Sequence, residues 1–189
     1  MLDLGCGPGD VSQALSMRGI QVTGIDANVA LIEEARTKYP GLDFKIGDLQ
    51  TLDLEVGRYD GIWCSFAAAY FTDFECVFRG WLPFLKPKAW ICLIDVDDLF
   101  AHEPMRPAWR QRVLDFYGAS VEKRHYDFRV GGKLEDILRR NGFTVESRVL
   151  RDDELSFTGA ASPAIRKAWS DRIDRMRGLH SHFAGEVAD

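Results

Sequence analysis

The stretch LDLGCGPGD, residues 2–10, constrains the fold more than any other part of this 189-residue chain. Gly5, Gly7 and Gly9 remove side chains at alternate positions between a short apolar run and a helix-like segment that begins at Asp10. Such a backbone, set between a strand and a helix, lets a ligand lie against main-chain atoms and the free N–H groups of the helix start. This arrangement belongs to parallel sheets, in which strands and helices alternate along the chain.

The rest of the sequence alternates in that way. GIQVTGI (19–25), LDFKI (42–46), YDGIWCS (59–65) and AWICLIDV (89–96) are short β-branched or aromatic runs. Two of them are nearly continuous in apolar residues, as strands buried on both faces are. Between them, residues 10–18 place Val11, Ala14 and Leu15 on one helical face, and residues 28–39 do the same with Leu31, Ile32, Ala35 and Tyr39. FECVFRGWLPFL (74–85) predicts a helix with Phe74, Val77, Phe78, Trp81, Leu82 and Leu85 inward, kinked at Pro83 and stopped by Lys86-Pro87.

Farther on, residues 106–118 predict a helix with Trp109, Val113, Phe116 and Tyr117 inward, and 133–142 a helix closed by Asn141-Gly142. FTVESRV (143–149) alternates as a half-exposed strand, with ELSFTG (154–159) as its partner across a turn. Ser162-Pro163 opens a last helix with Ile165, Trp169, Ile173 and Met176 on one face. The expected fold is α/β: a three-layer, doubly wound, mainly parallel sheet with a C-terminal helical extension. One domain spans 1–189, with a cofactor-binding half (1–96), a substrate-side half (97–160) and the extension (161–189).

A net charge of −5 argues against a nucleic-acid partner, which needs clustered Lys and Arg; the basic residues of 166–177 are interrupted by Asp171 and Asp174, as on a solvated helix face. Cys6, Cys64, Cys76 and Cys92 form no C-x-x-C pair and read as reduced thiols. The sequence contains neither a secretory signal pattern nor an apolar run of membrane-spanning length, so a cytoplasmic protein is expected.

Two further acids say what the glycine loop binds. Asp26 ends the second strand about twenty residues after the first glycine, where a carboxylate accepts the hydroxyls of a ribose. Asp48 follows the third strand, at the neighbouring strand end where the attached base would lie. A dinucleotide fingerprint fits poorly, because Asp10 stands where its third glycine or alanine belongs and, like Asp3, would bring negative charge to a pyrophosphate. A P-loop is excluded, since no G-K-[ST] follows. A nucleoside cofactor that carries a cation in place of phosphates turns these acids into partners.

In order, LDLGCGPG, GIDAN, GDLQTLD, YDGIWCSFAAAYF and LKPKAWICLIDV resemble the successive motifs of the class I S-adenosylmethionine-dependent methyltransferases, and LEDILRRNGFTVES resembles a later helix-strand unit of the same Rossmann-like fold. The resemblance implies that Asp3 lies near the methionine amino group of that cofactor, with the backbone of Gly5, Cys6, Gly7 and Gly9 alongside. It further implies Asp26 on the ribose diol, Ala27 and Asn28 beside the adenine, Asp48 and Leu49 on its edge and face, and Ser65 near the amino acid moiety. S-adenosyl-L-homocysteine would be the product.

The acceptor side of such an enzyme opens after the fourth strand, here SFAAAYF. It lacks the Asp/Asn-Pro-Pro-aromatic pattern of nucleic-acid amino-methyltransferases, which points to a small-molecule acceptor. Phe66, Tyr70, Phe71 and Asp97 are expected to line the pocket, with Tyr70 and His102 as candidate catalytic groups and His125 as a further base. No metal is expected: Asp95, Asp97, Asp98, His102 and Glu103 cluster after the fifth strand, but acids alternating along a strand point different ways. The chain begins inside the first strand, where family members carry preceding helices, so a shortened homologue or fragment is expected, with completion by a second copy, a homodimer, as one solution. The competing readings are a non-catalytic protein that binds the cofactor or its product, and an NAD-dependent oxidoreductase.

Overall fold

A computed structural model describes residues 1–100, 105–149 and 159–175. Its sheet has five parallel strands in the order β3-β2-β1-β4-β5: β1 (Leu2–Leu4), β2 (Thr23–Asp26), β3 (Asp43–Ile46), β4 (Tyr59–Ser65) and β5 (Leu85–Ile94). Between them run α1 (Asp10–Ser16), α2 (Val29–Lys38) and α3 (Phe74–Trp81); α4 (Pro107–Glu122), α5 (Leu134–Arg140) and α6 (Pro163–Arg175) follow. The strand order reverses at β1, so the glycine loop leaves the sheet beside the crevice between β1 and β4, where open α/β sheets bind ligands.

Alternation of side chains across the sheet divides the core. Leu2, Leu4, Ile25, Ile62 and Cys64 face Phe74, Phe78 and Trp81 of α3 and Leu134 and Ile137 of α5. On the other face, Cys6 and Phe44 pack against Ile32 and Ala35 of α2, and Asp3 meets Ser12 of α1. Helices thus cover both faces, giving the three layers expected.

Four features differ from the sequence expectation. In α1 the buried residue is Ser12, while Ala14 is exposed, because the helix turns the polar side of its first turn toward Asp3. The third helix ends at Trp81; Pro83 lies in a single 3-10 turn, and Leu85 already pairs with Tyr59 as the start of β5. Pro87 has no N–H to give a ladder and Lys88 has φ +65°, so residues 86–89 bulge out of the sheet before pairing resumes at Gly61 and Trp90. Trp109 is 39% exposed, stacked under the Arg112 guanidinium.

The fourth difference is that residues 143–149 form no strand. Their expected partner, at 154–158, lies outside the described residues, as do Met176, His102 and Glu103. The last helix does begin at Pro163, and its Trp169 reaches Phe100, with ring centroids 6.2 Å apart.

Candidate cofactor site

The glycine loop is tied to the end of β2. The Gly5 and Cys6 amides both donate to the Ile25 carbonyl, at 2.8 and 3.1 Å, and the Gly7 amide donates to Asp26 Oδ2 at 2.9 Å. Asp26 Oδ1 accepts from the Asn28 amide at 2.8 Å. Each carboxylate oxygen therefore holds one backbone donor and retains a lone pair for a hydroxyl.

Two of the glycines are required by close packing. Gly5 has φ +76°, and a Cβ there would lie 2.6 Å from Ala67 Cβ, so its bareness lets the segment after β4 press against the loop. Gly9, at φ +84°, would place a Cβ 2.6 Å from the Phe44 ring. Gly9 is thus a packing residue between α1, α2 and β3. Over Gly7 the corresponding direction meets no atom within 4 Å, which leaves that part of the loop open to a ligand.

Asp3 is 1% exposed and Ser12 fully buried, and the Ser12 hydroxyl donates to Asp3 Oδ2 at 2.6 Å. Burial pushes the Asp3 carboxyl up to about 6; the Ser12 hydrogen bond opposes that rise and the neighbouring Asp26 charge adds to it. A buried acid that also feels the Asp26 charge favours a cationic ligand, which would relieve both burial and repulsion. Cys6 contributes backbone only: its thiol is buried among Ile32, Ala35 and Phe44 and pushed up to about 12, with desolvation the main cause, so it is inert.

Asp10 does not face the loop. Its Oδ1 accepts from Lys38 Nζ and from the Tyr39 hydroxyl, both at 2.6 Å, joining the start of α1 to the end of α2. The expectation that Asp10 would carry negative charge toward a bound phosphate is therefore corrected; the other acid, Asp3, is the one in the loop's base.

At the neighbouring strand ends the side chains have local duties. Asn28 caps α2, accepting from the Ala30 and Leu31 amides, and Ala27 beside it is exposed. Asp48, exposed, accepts from the Gln50 amide at 2.9 Å and so shapes the turn that buries Leu49. The Leu49 carbonyl accepts from Trp81 Nε1 at 2.8 Å, across from α3. Sequence reading placed Trp81 in the core but did not see this hold on Leu49; no local pattern signals a bond between residues 32 positions apart.

Around the end of β4, Ser65 pairs with Ile94, and Phe66 follows at φ +55° with its ring 60% exposed. Asp95 tethers the next segment, accepting from the Ala69 and Val96 amides at 3.2 and 2.8 Å; burial raises its carboxyl. Tyr70, 64% exposed, meets Tyr126 edge-on at 5.0 Å, and a shallow groove there is lined by Tyr70, Phe71, Arg124, His125 and Tyr126. The structure thus brings Tyr70, Phe71 and His125 together and adds Tyr126, whereas Phe66 and Asp97 do not line that groove. Asp97 lies instead against Gly132, and the Asp98 amide donates to the Phe128 carbonyl, so the acids after β5 diverge. Among the described residues no three His, Cys, Asp or Glu side chains are grouped to hold a metal.

A family model described as a methyltransferase domain matches residues 1–88. Ubiquinone biosynthesis O-methyltransferase of Chromobacterium violaceum is 31% identical over 48% of this chain and 41% of its own length. Malonyl-[acyl-carrier protein] O-methyltransferase of Enterobacter lignolyticus is 25% identical over 58% of this chain and 43% of its own. The chain therefore spans about two fifths of the length of these curated relatives. Among solved structures, an S-adenosylmethionine-dependent methyltransferase from Mesorhizobium loti has the same fold, with a TM-score of 0.60 and 23% identity over 77% of this chain and 74% of that one. Residues 1–88 are thus similar to a methyltransferase domain, and the five-stranded parallel sheet with its flanking helices is the Rossmann-like fold of S-adenosylmethionine-dependent methyltransferases.

Proposed function

We propose that the chain binds S-adenosylmethionine over the glycine loop and transfers its methyl group to a small organic acceptor by in-line displacement. The observation that carries the reading is the convergence of Asp3, the open backbone at Gly7 and the two half-used oxygens of Asp26 at adjoining strand ends. Asp26 receives the ribose diol and Asp3 the methionine ammonium. Asp48, Leu49, Ala27 and Asn28 flank the adenine. When bound, the cofactor supplies a methyl group on a good leaving group, so the chain's own task is to align an acceptor and keep water out.

The segment after β4 is the acceptor side in this reading, with residues 97–100 and 105–149 as the described part of its substrate-side half. Tyr70 and His125 stand on one groove, where the Tyr70 hydroxyl can orient a hydroxyl acceptor and the His125 imidazole can take its proton. The named relatives are O-methyltransferases, one of ubiquinone biosynthesis and one of malonyl-[acyl-carrier protein], which makes hydroxyl and carboxyl oxygens the first acceptors to try.

The test is calorimetric titration of the purified chain with S-adenosylmethionine, S-adenosylhomocysteine and NAD, repeated on Asp26→Ala, followed by an acceptor screen with mass detection of the methylated product. Binding of the two adenosyl ligands, weakened at least about tenfold in Asp26→Ala, is expected from two lost charge-assisted hydrogen bonds. NAD bound in preference to both would sink the reading. Tight binding with no acceptor turned over would leave a cofactor-binding protein in place of an enzyme.

A further inference from the structure

Ser12 is a buried hydroxyl to which the cofactor reading assigns no role. It sits on the inner face of α1, fully buried, and its Oγ donates to Asp3 Oδ2 at 2.6 Å. A helix interior that packs on a sheet ordinarily presents an apolar side chain at such a place; Val11 and Leu15 beside it are only half-buried. The polar residue is therefore matched to the acid beneath it.

Resting on the cofactor reading above, we propose that Ser12 is a positioning residue for the cofactor site: its hydroxyl orients the Asp3 carboxylate and keeps it ionised, ready for the ammonium of the incoming ligand. The groups that act on Asp3 are few. From the end of β2, Asp26 opposes its ionisation; from the loop, Cys6 is a neutral buried thiol, and from β4, Cys64 is another, held neutral by its own burial. Ser12, through its hydroxyl and its backbone N–H, is the group that favours the charged form. Take away the hydroxyl and desolvation with Asp26 pushes Asp3 toward its neutral form, in which it no longer attracts an ammonium.

Ser12→Cys tests this while keeping the side chain's size and removing the strong donor. S-Adenosylmethionine affinity is measured by calorimetry from pH 5.5 to 7.5 on wild type, Ser12→Cys, Ser12→Ala and Ser12→Thr, with thermal unfolding recorded beside each. Wild-type affinity should fall as pH drops through about 6, and in Ser12→Cys and Ser12→Ala the same fall should begin about one pH unit higher, with affinity at pH 6.5 reduced about 3- to 10-fold. Ser12→Thr, which restores a hydroxyl, should return the profile toward wild type. If Ser12 merely fills space, Ser12→Cys will trace the wild-type profile, and that result overturns the proposal while leaving the cofactor reading intact. Failure of wild type to bind at any pH would remove both.

Discussion

In the proposed cofactor site, Asp3 carries opposing demands of folding and binding. Its carboxyl is raised from 3.8 to about 6 by burial, so at neutral pH the folded state keeps a charge that the unfolded chain holds more comfortably, at a cost of about 3 kcal/mol. Because the folded value is above the unfolded one, this penalty is full above about pH 6 and fades as pH falls from there toward 4. Asp3→Asn should therefore be more stable than wild type by about 1–3 kcal/mol in urea at pH 7.5, with the gap closing by pH 4.5, while its affinity for S-adenosylmethionine drops. A variant that loses both stability and binding would contradict this balance. Gly9→Ala should do the reverse of Asp3→Asn: strain at φ +84° and the Phe44 ring 2.6 Å away predict a loss of about 2–4 kcal/mol by denaturant titration, with no gain elsewhere. The places of both acids, Asp3 in β1 and Asp26 at the end of β2, were legible from the sequence alone. Ser12 was not, because a helix read by its apolar residues puts Val11, Ala14 and Leu15 inside and has no place for a hydroxyl.

At the scale of elements, α3 links the core to the site. Its Trp81 is 1% exposed, packs among Phe74 and Phe78, and ends on the Leu49 carbonyl. Trp81→Phe keeps most of the apolar burial and deletes the Nε1 donor, so chemical denaturation should show a loss of about 1–3 kcal/mol. A matching few-fold rise in the cofactor dissociation constant would follow from a looser Leu49. The other end of α3 is joined to α5: Glu75 accepts from Arg140, Arg79 and Asn141, and the Arg140 guanidinium in particular holds its carboxyl below the usual range. The two guanidiniums of this cluster are exposed and Glu75 is partly so, so Glu75→Gln should lower the melting temperature in dilute buffer and less in about 1 M salt. Periodicity revealed these helices because their apolar faces are wide. It placed the end of α5 at Asn141-Gly142, as found, but carried α3 past Trp81 to Leu85, because a 3-10 turn satisfies the backbone without changing the hydrophobic pattern.

For the whole molecule, ligand and fold are linked by mass action. S-adenosylmethionine at about 100 times its dissociation constant should stabilise the folded chain by about 2.7 kcal/mol, a rise of roughly 5–10 °C in a thermal melt for a chain of this size, with NAD giving none. An unchanged melt at saturating ligand would mean that binding is not to the folded state described here. The mainly parallel sheet, the glycine loop and an acid at the end of β2 could be read before any coordinates, because each is a local signature: a period in the apolar residues, a bare backbone, a carboxylate at a strand end. Three things could not. Asp10 turned away to Lys38 and Tyr39, Ser12 came to rest on Asp3, and Tyr126 closed on Tyr70 across 56 residues. By itself the sequence determined the alternation of strands and helices through β5 and which cofactor class the motifs at their ends suit. Only the tertiary structure decided which side chains hold those ends in place, since that depends on contacts between segments whose separation along the chain carries no pattern.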